Sequence, residues 1–230
     1  MLSPQIHAER RQELSRAVNE PILLMGNGER PRNLPMSTVP FRQDSCFLYF
    51  TGCTIPGAAV LIVDEQSTLY LCPPPEDDAL WHGTTQTIEE SGAALGFSQV
   101  RSIDELDDDA RVLGKIATLA VPDLAQTQRA AQITNTALTY GSDNGHDKLI
   151  DAVIQMRRIL SEVELNEMRK VAQVTERAHR AAMAATAPGV HEQAIAATFQ
   201  DVVVRAGMDL AYSSIVTVQG EILHNFRYVN

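Results

Sequence analysis

Cysteine is scarce in this 230-residue chain. Cys46, Cys53 and Cys72 stand at irregular spacing, too few for a disulfide framework. They also lack the close Cys-x-x-Cys or histidine partners of a zinc site, and are read as reduced, partly buried thiols. Basic residues are outnumbered, 19 Lys and Arg against 29 Asp and Glu, for a net charge of −10. That balance excludes a nucleic-acid partner, because phosphate binding needs clustered Lys and Arg. No apolar run approaches the length of a membrane span, so no membrane partner is expected. Met1-Leu2-Ser3-Pro4-Gln5 lacks the basic and then apolar regions of a signal peptide, and a cytoplasmic location is expected. Gly26-Asn27-Gly28 does not continue as G-x-G-x-x-G, and Ser213-Ser214 has no nucleophile-elbow pattern. His191-Glu192 is followed by Ala194 and Ile195 rather than by a second histidine, so His-Glu-x-x-His is missing too.

What is present reads as an ordinary globular chain with short strands and helices in alternation up to about residue 147. Ile6 to Ala17 predicts an opening helix, and Ile22 to Met25 a buried strand. Residues 29 to 45 predict a long ordered loop. The aromatic run Cys46 to Phe50 predicts a strand closed by Thr51-Gly52. Ala58 to Val63 and Thr68 to Cys72 predict a hairpin, stopped by Pro73-Pro74-Pro75. Helices are expected at Thr87 to Leu95 and Leu149 to Leu160, a short one after Ser102 or Asp104, and a strand at Leu119 to Pro122. The turn-rich Gly141-Ser142-Asp143-Asn144-Gly145 marks a domain boundary near residues 141 to 147.

Beyond it the character changes. Ser161 and Glu164 form a capping-box pattern. Leu165, Met168, Ala172, Thr175, His179 and Met183 then recur at helical spacing up to Pro188-Gly189, and His179 and Met183, four apart, read as core packing. A second helix runs from about His191 to Ala206 and stops at Gly207. Ser213 to Val218 alternates as a strand, and Ile222 to Tyr228 is its expected antiparallel partner.

Three blocks in order resemble the Xaa-Pro aminopeptidase (aminopeptidase P) family, within the creatinase/prolidase/methionine-aminopeptidase group. Phe41-Arg42-Gln43-Asp44-Ser45-Cys46-Phe47-Leu48-Tyr49-Phe50-Thr51-Gly52, followed by Pro56-Gly57-Ala58-Ala59, is similar to that family's R-x-x-S-x-F-x-Y-x-T-G segment. Met156 to Leu165, running on through Ala172, resembles the helix that opens its catalytic domain. Tyr212 to His224, ending Ile222-Leu223-His224, resembles the stretch that delivers its first active-site histidine. The resemblance implies an α/β chain: a creatinase-like N-terminal α/β domain over 1–147, with a mixed sheet flanked by helices. The first, incomplete part of a pita-bread α+β metallopeptidase domain would follow over 148–230.

By the same resemblance, the activity is release of the N-terminal residue from peptides with proline in second position. The family is implied to use two divalent ions, commonly manganese, which polarise the scissile carbonyl and generate hydroxide. Its ligands, two Asp, one His and two Glu, all lie downstream of the Ile-Leu-His block, where the family also has a D-x-G strand and a D-x-T-R segment. Neither follows His224, so no metal ligand is assigned in this chain and the chain alone is expected to be inactive.

His224 is assigned as the catalytic residue, hydrogen-bonding substrate beside the metals. Asn225 stands where the family usually has Tyr. Trp81 sits where family members often carry a W-x-G sequence and is assigned to substrate binding, in its own or a neighbouring subunit, with simple packing on its own domain as the alternative. A homo-oligomer, dimer or tetramer, is implied. Half a pita-bread sheet would also leave an apolar face exposed. Two alternatives remain: a non-catalytic binding or oligomerisation module, or pseudo-enzyme, of the same fold, and a prolidase- or creatinase-like relative.

Overall fold

Helix α1 (Pro4–Val18) opens on a proline, whose missing N–H is no loss in a first turn, and closes on Asn19 in the left-handed conformation. The computed structural model describes residues 2–226. They fall into two compact units, Met1–Ile159 and Leu160–Asn230.

The first unit is built on a five-stranded mixed sheet of order β4-β3-β2-β1-β5. Its strands are β1 (Ile22–Met25), β2 (Ala59–Val63), β3 (Gln66–Leu71), β4 (Gln99–Ser102) and β5 (Ala117–Thr118). β2 and β3 form the expected hairpin. Its turn is only Asp64-Glu65, both at positive φ, the geometry that matches the strands' own twist. β1 pairs antiparallel with β2 and parallel with β5, and β3 pairs parallel with β4. The predicted strand at Leu119 to Pro122 is displaced to Ala117–Thr118, because Pro122 cannot donate to a ladder and Asp123 already caps the next helix.

Alternation along β1 sends Ile22 and Leu24 to one face and Leu23 and Met25 to the other. On the first face they meet Leu14 and Val18 of α1, Phe47 and Phe50, and Leu149 and Val153 of α7 (Asp147–Arg157). On the second they meet Leu106 and Ala110 of α5 (Leu106–Arg111; α3 and α4 are Asp78–His82 and Ile88–Ala94) and Ala130 of α6 (Leu124–Thr134). Since α7 fills the core, this unit extends past the turn-rich linker to Ile159.

The aromatic run is not a strand. Ser45–Thr51 is a helix, α2, because Asp44 accepts from the backbone N–H groups of Cys46 and Phe47 and Gly52 closes the last turn at φ 65°. Phe47, Phe50 and Thr51 share the buried face at helical spacing, while Leu48 is exposed.

The second unit begins with α8 (Glu162–Ala185), whose Ser161–Glu164 capping box forms as expected, and continues with α9 (Glu192–Arg205). The buried line of α8 is Val174 and Ala178, facing Val203 of α9. The core packing expected of His179 and Met183 is therefore corrected: both are exposed, and His179 pairs with Thr175 O at 2.8 Å and meets the Phe199 ring edge-on. The buried line of α8 is thus narrow, and Met168, Val171 and Met183 lie outside it. Ser213 to Val218 carries no ladder among the described residues, and neither does Ile222 to Phe226; the remainder of that expected partner, through Tyr228, lies outside them. A strand is held by its neighbour's hydrogen bonds, and among the described residues none pairs with these segments.

Candidate functional site

His224 lies in the second unit with its imidazole exposed, stacked near Phe226 with the rings 10° from parallel and 6.3 Å between centroids. The segment that presents it is held from beneath by buried polar groups. Glu192, at the first turn of α9 and only 4% exposed, accepts a 2.6 Å hydrogen bond from the Val218 backbone N–H. Asn225, 8% exposed, donates from Nδ2 to Thr217 Oγ1 at 3.0 Å. The same hydroxyl accepts from Gln219 N, and Ile222 N returns to Gln219 O. These bonds bend the chain twice and aim His224 outward. The Asn225 that departs from the family pattern is therefore a structural tie within this segment.

Glu192 escaped sequence reading. Its only signal is an acidic residue in a helix's first turn, which ordinarily means a solvated dipole partner rather than a buried anchor.

Trp81 belongs to the first unit, on the short helix α3. It is 65% exposed, and its indole Nε1 makes a long 3.4 Å contact to Asp77 Oδ2. Leu80 beside it is exposed as well, so the pair projects apolar surface into solvent.

The loop ahead of α2 is organised by a residue sequence reading passed over. Gln43, 7% exposed, accepts from Asn27 N at 2.7 Å and from Asp44 N at 2.9 Å, and donates to Ile55 O at 3.1 Å. Gly26 makes this possible, because a Cβ there would fall 2.9 Å from both Gln43 and the Ala58 carbonyl. On the other side of α2, His7, Arg10 and Arg11 of α1 all reach its final carbonyls. His7 Nδ1 pairs with Tyr49 O at 2.9 Å, Arg10 donates to the same oxygen, and Arg11 donates to Phe50 O at 2.9 Å. Burial lowers the Arg11 guanidinium to about 10 and also lowers His7.

Among the described residues, no group of three or more His, Cys, Asp or Glu side chains converges as a metal ion requires. Asp107-Asp108-Asp109 instead serve ion pairs and a hydrogen bond: Asp107 with Arg129, Asp108 with Arg111, and Asp109 with Arg101 and the buried Tyr70 hydroxyl. The described residues thus do not fit a two-metal centre. No helix among them is long and apolar enough to cross a membrane.

Residues 7–119 match the family model of the aminopeptidase P N-terminal domain, and residues 166–227 that of metallopeptidase family M24. The Xaa-Pro aminopeptidase of Haemophilus influenzae is 30% identical over 186 residues, covering 77% of this chain and 41% of that protein. The Probable Xaa-Pro aminopeptidase of Neosartorya fischeri is 26% identical over 192 residues, covering 81% and 40%. Among solved structures, aminopeptidase PepP of Pseudomonas aeruginosa superposes with a TM-score of 0.78 at 22% identity, over 93% of this chain and 52% of that one. The low-pH form of Escherichia coli aminopeptidase P gives 0.75 at 20% identity, over 90% and 50%.

The chain therefore spans about two fifths of the length of the curated relatives it matches. These matches carry the fold as expected, a creatinase-like α/β domain followed by part of a pita-bread α+β domain. A metallopeptidase family implies divalent ions in its complete enzymes. Domain matches, relatives and superposed structures agree, and the chain belongs to the Xaa-Pro aminopeptidase (aminopeptidase P) family.

Proposed function

We propose that this chain is the N-terminal portion of a metal-dependent Xaa-Pro aminopeptidase and supplies one wall of its peptide site, inactive without the metal-bearing remainder. The observation that carries the reading is His224, exposed on a segment held by the buried Glu192 and Asn225. A side chain delivered to the surface by buried polar ties is organised for a partner rather than for its own core. His224 would donate a hydrogen bond to the substrate carbonyl or to the oxyanion that develops from it, through whichever ring nitrogen carries the proton. When bound, two divalent ions, manganese by family resemblance, would supply the hydroxide; the residues described here do not hold them.

A bond to proline lacks an N–H, so a site for it must recognise ring shape and carbonyl direction instead. The exposed Trp81 and Leu80 suit that task across a subunit boundary, which supports a homo-oligomer in which Trp81 serves a neighbour. The functional division falls at 147/148, with the N-terminal creatinase-like domain limiting access to free N-termini. Three cysteines without a disulfide fit a reducing, cytoplasmic setting.

A second reading is a non-catalytic peptide-binding or oligomerisation module of the same fold, which the exposed Trp81 and Leu80 would also suit. One experiment separates them. The chain is fused at Asn230 to the ligand-bearing remainder of the Haemophilus influenzae relative and assayed for manganese-dependent release of arginine from Arg-Pro-Pro. Release that falls at least ~100-fold in His224→Ala supports the enzyme wall. Release that His224→Ala leaves unchanged rejects the role given to His224. A folded fusion with no release favours the binding module.

A further inference from the structure

In the first unit a cavity of about 880 Å³ opens outside the carboxyl ends of the parallel pair β1 and β5. Asn27 and Gly28, which follow β1, and residues 119–123, which follow β5, line it. That is where open α/β sheets take their ligands, because successive loops diverge there and leave a crevice.

Its charge runs against the chain's. Arg30, Arg42, Arg157 and Arg158 line it, against two carboxylates, Asp44 and Asp123, in a protein of net charge −10. Both carboxylates are engaged by backbone N–H groups at helix starts. Asp44 accepts from Cys46 N and Phe47 N, and Asp123 from Ala125 N, Gln126 N and Gly28 N. The groups that steady two of the arginines are neutral. Arg157 donates to Cys46 Sγ at 2.9 Å, and Arg158 to Gln155 Oε1 at 3.0 Å. A thiol is a weak acceptor, and a carboxylate competes with it readily for a guanidinium. The wall beside these cations is apolar, with Ile154 and Tyr140 exposed along it.

We propose that this cavity binds a small organic carboxylate with an apolar body: the arginines take the carboxylate and the wall takes the body. The carboxylate comes either from a free acid or from the C-terminus of a short peptide. The inference does not rest on His224 or on the proposed peptidase activity.

The test is titration of the full chain, followed by amide NMR at Gly28, Ala125 and Gln126, with phenylacetate, its neutral isostere phenylacetamide, and the dipeptide Ala-Phe. Saturable shifts with phenylacetate are expected, at least ~10-fold tighter than with phenylacetamide. Ala-Phe binding as tightly assigns the site to peptide ends, and weaker binding assigns it to free acids. Arg157→Met should weaken phenylacetate several-fold. Should that variant misfold, Arg30→Met on the exposed loop reads the same loss. Equal binding of acid and amide, no saturable shift, or unchanged affinity in the folded arginine variant overturns the proposal.

Discussion

The Glu192 carboxylate accepts a 2.6 Å hydrogen bond from the Val218 backbone N–H, tying the start of α9 to the segment that ends in His224. Glu192 is buried, so a carboxylate there loses more with this bond than water readily returns. Glu192→Ala should cost about 2 kcal/mol, the usual range for a hydrogen bond to a charged group. Hydrogen exchange at the Val218 amide is expected to accelerate at least ~10-fold while α9 keeps its protection. Unchanged exchange at Val218 would show that other contacts hold the segment.

Gln43 makes the corresponding prediction in the first unit. Gln43→Leu preserves bulk but leaves Asn27 N–H and Asp44 N–H without their acceptor and Ile55 O without its donor. A loss of about 3 kcal/mol in urea unfolding is expected, against less than about 1 kcal/mol for Arg32→Gln on the exposed part of the same loop. Equal effects would remove Gln43 from its organising place.

His7 gives a pH dependence with a definite sign. Burial lowers its pKa below 6.5, outweighing the Tyr49 carbonyl bond that favours the charged form, and Arg10 and Arg11 lower it further. The unfolded chain therefore binds this proton more readily, so His7's contribution is complete above pH 6.5 and lost as the pH falls through the lower folded value. Wild-type stability should fall from pH 7.5 to pH 5 more steeply than that of His7→Gln. Parallel curves for the two proteins would contradict the assignment.

Much of this was legible in sequence, and the failures have physical causes. The Ser161 capping box, the Pro73 stop and the β2–β3 hairpin are local, so their chemistry can be read in place. Cys46 to Phe50 misled because aromatic residues favour strands, although Asp44 and Gly52 at its two ends are helix signals. α6 and β4 were missed because one is rich in Gln and Thr and the other is a half-polar edge strand. His224 and Trp81 were findable by motif. Glu192 and Gln43 were not, since what distinguishes them is burial, a property of the fold rather than of the residue type.

The exposed side of α8 predicts self-association. Met168, Val171 and Met183 form an unpartnered apolar line on that helix. Light scattering should show mass rising with concentration for the wild-type chain and a constant monomer for Met168→Glu/Val171→Lys. A wild-type monomer at all concentrations would show that this face needs no cover.

A chain that forms one wall of a peptide site, as proposed, should not hydrolyse peptides by itself. The most direct test is manganese-dependent release of arginine from Arg-Pro-Pro by the purified 230-residue chain, measured beside His224→Ala. No release above the level of that variant is predicted. Turnover by the chain alone that is lost on chelation would contradict the claim and place a functional metal site within these residues.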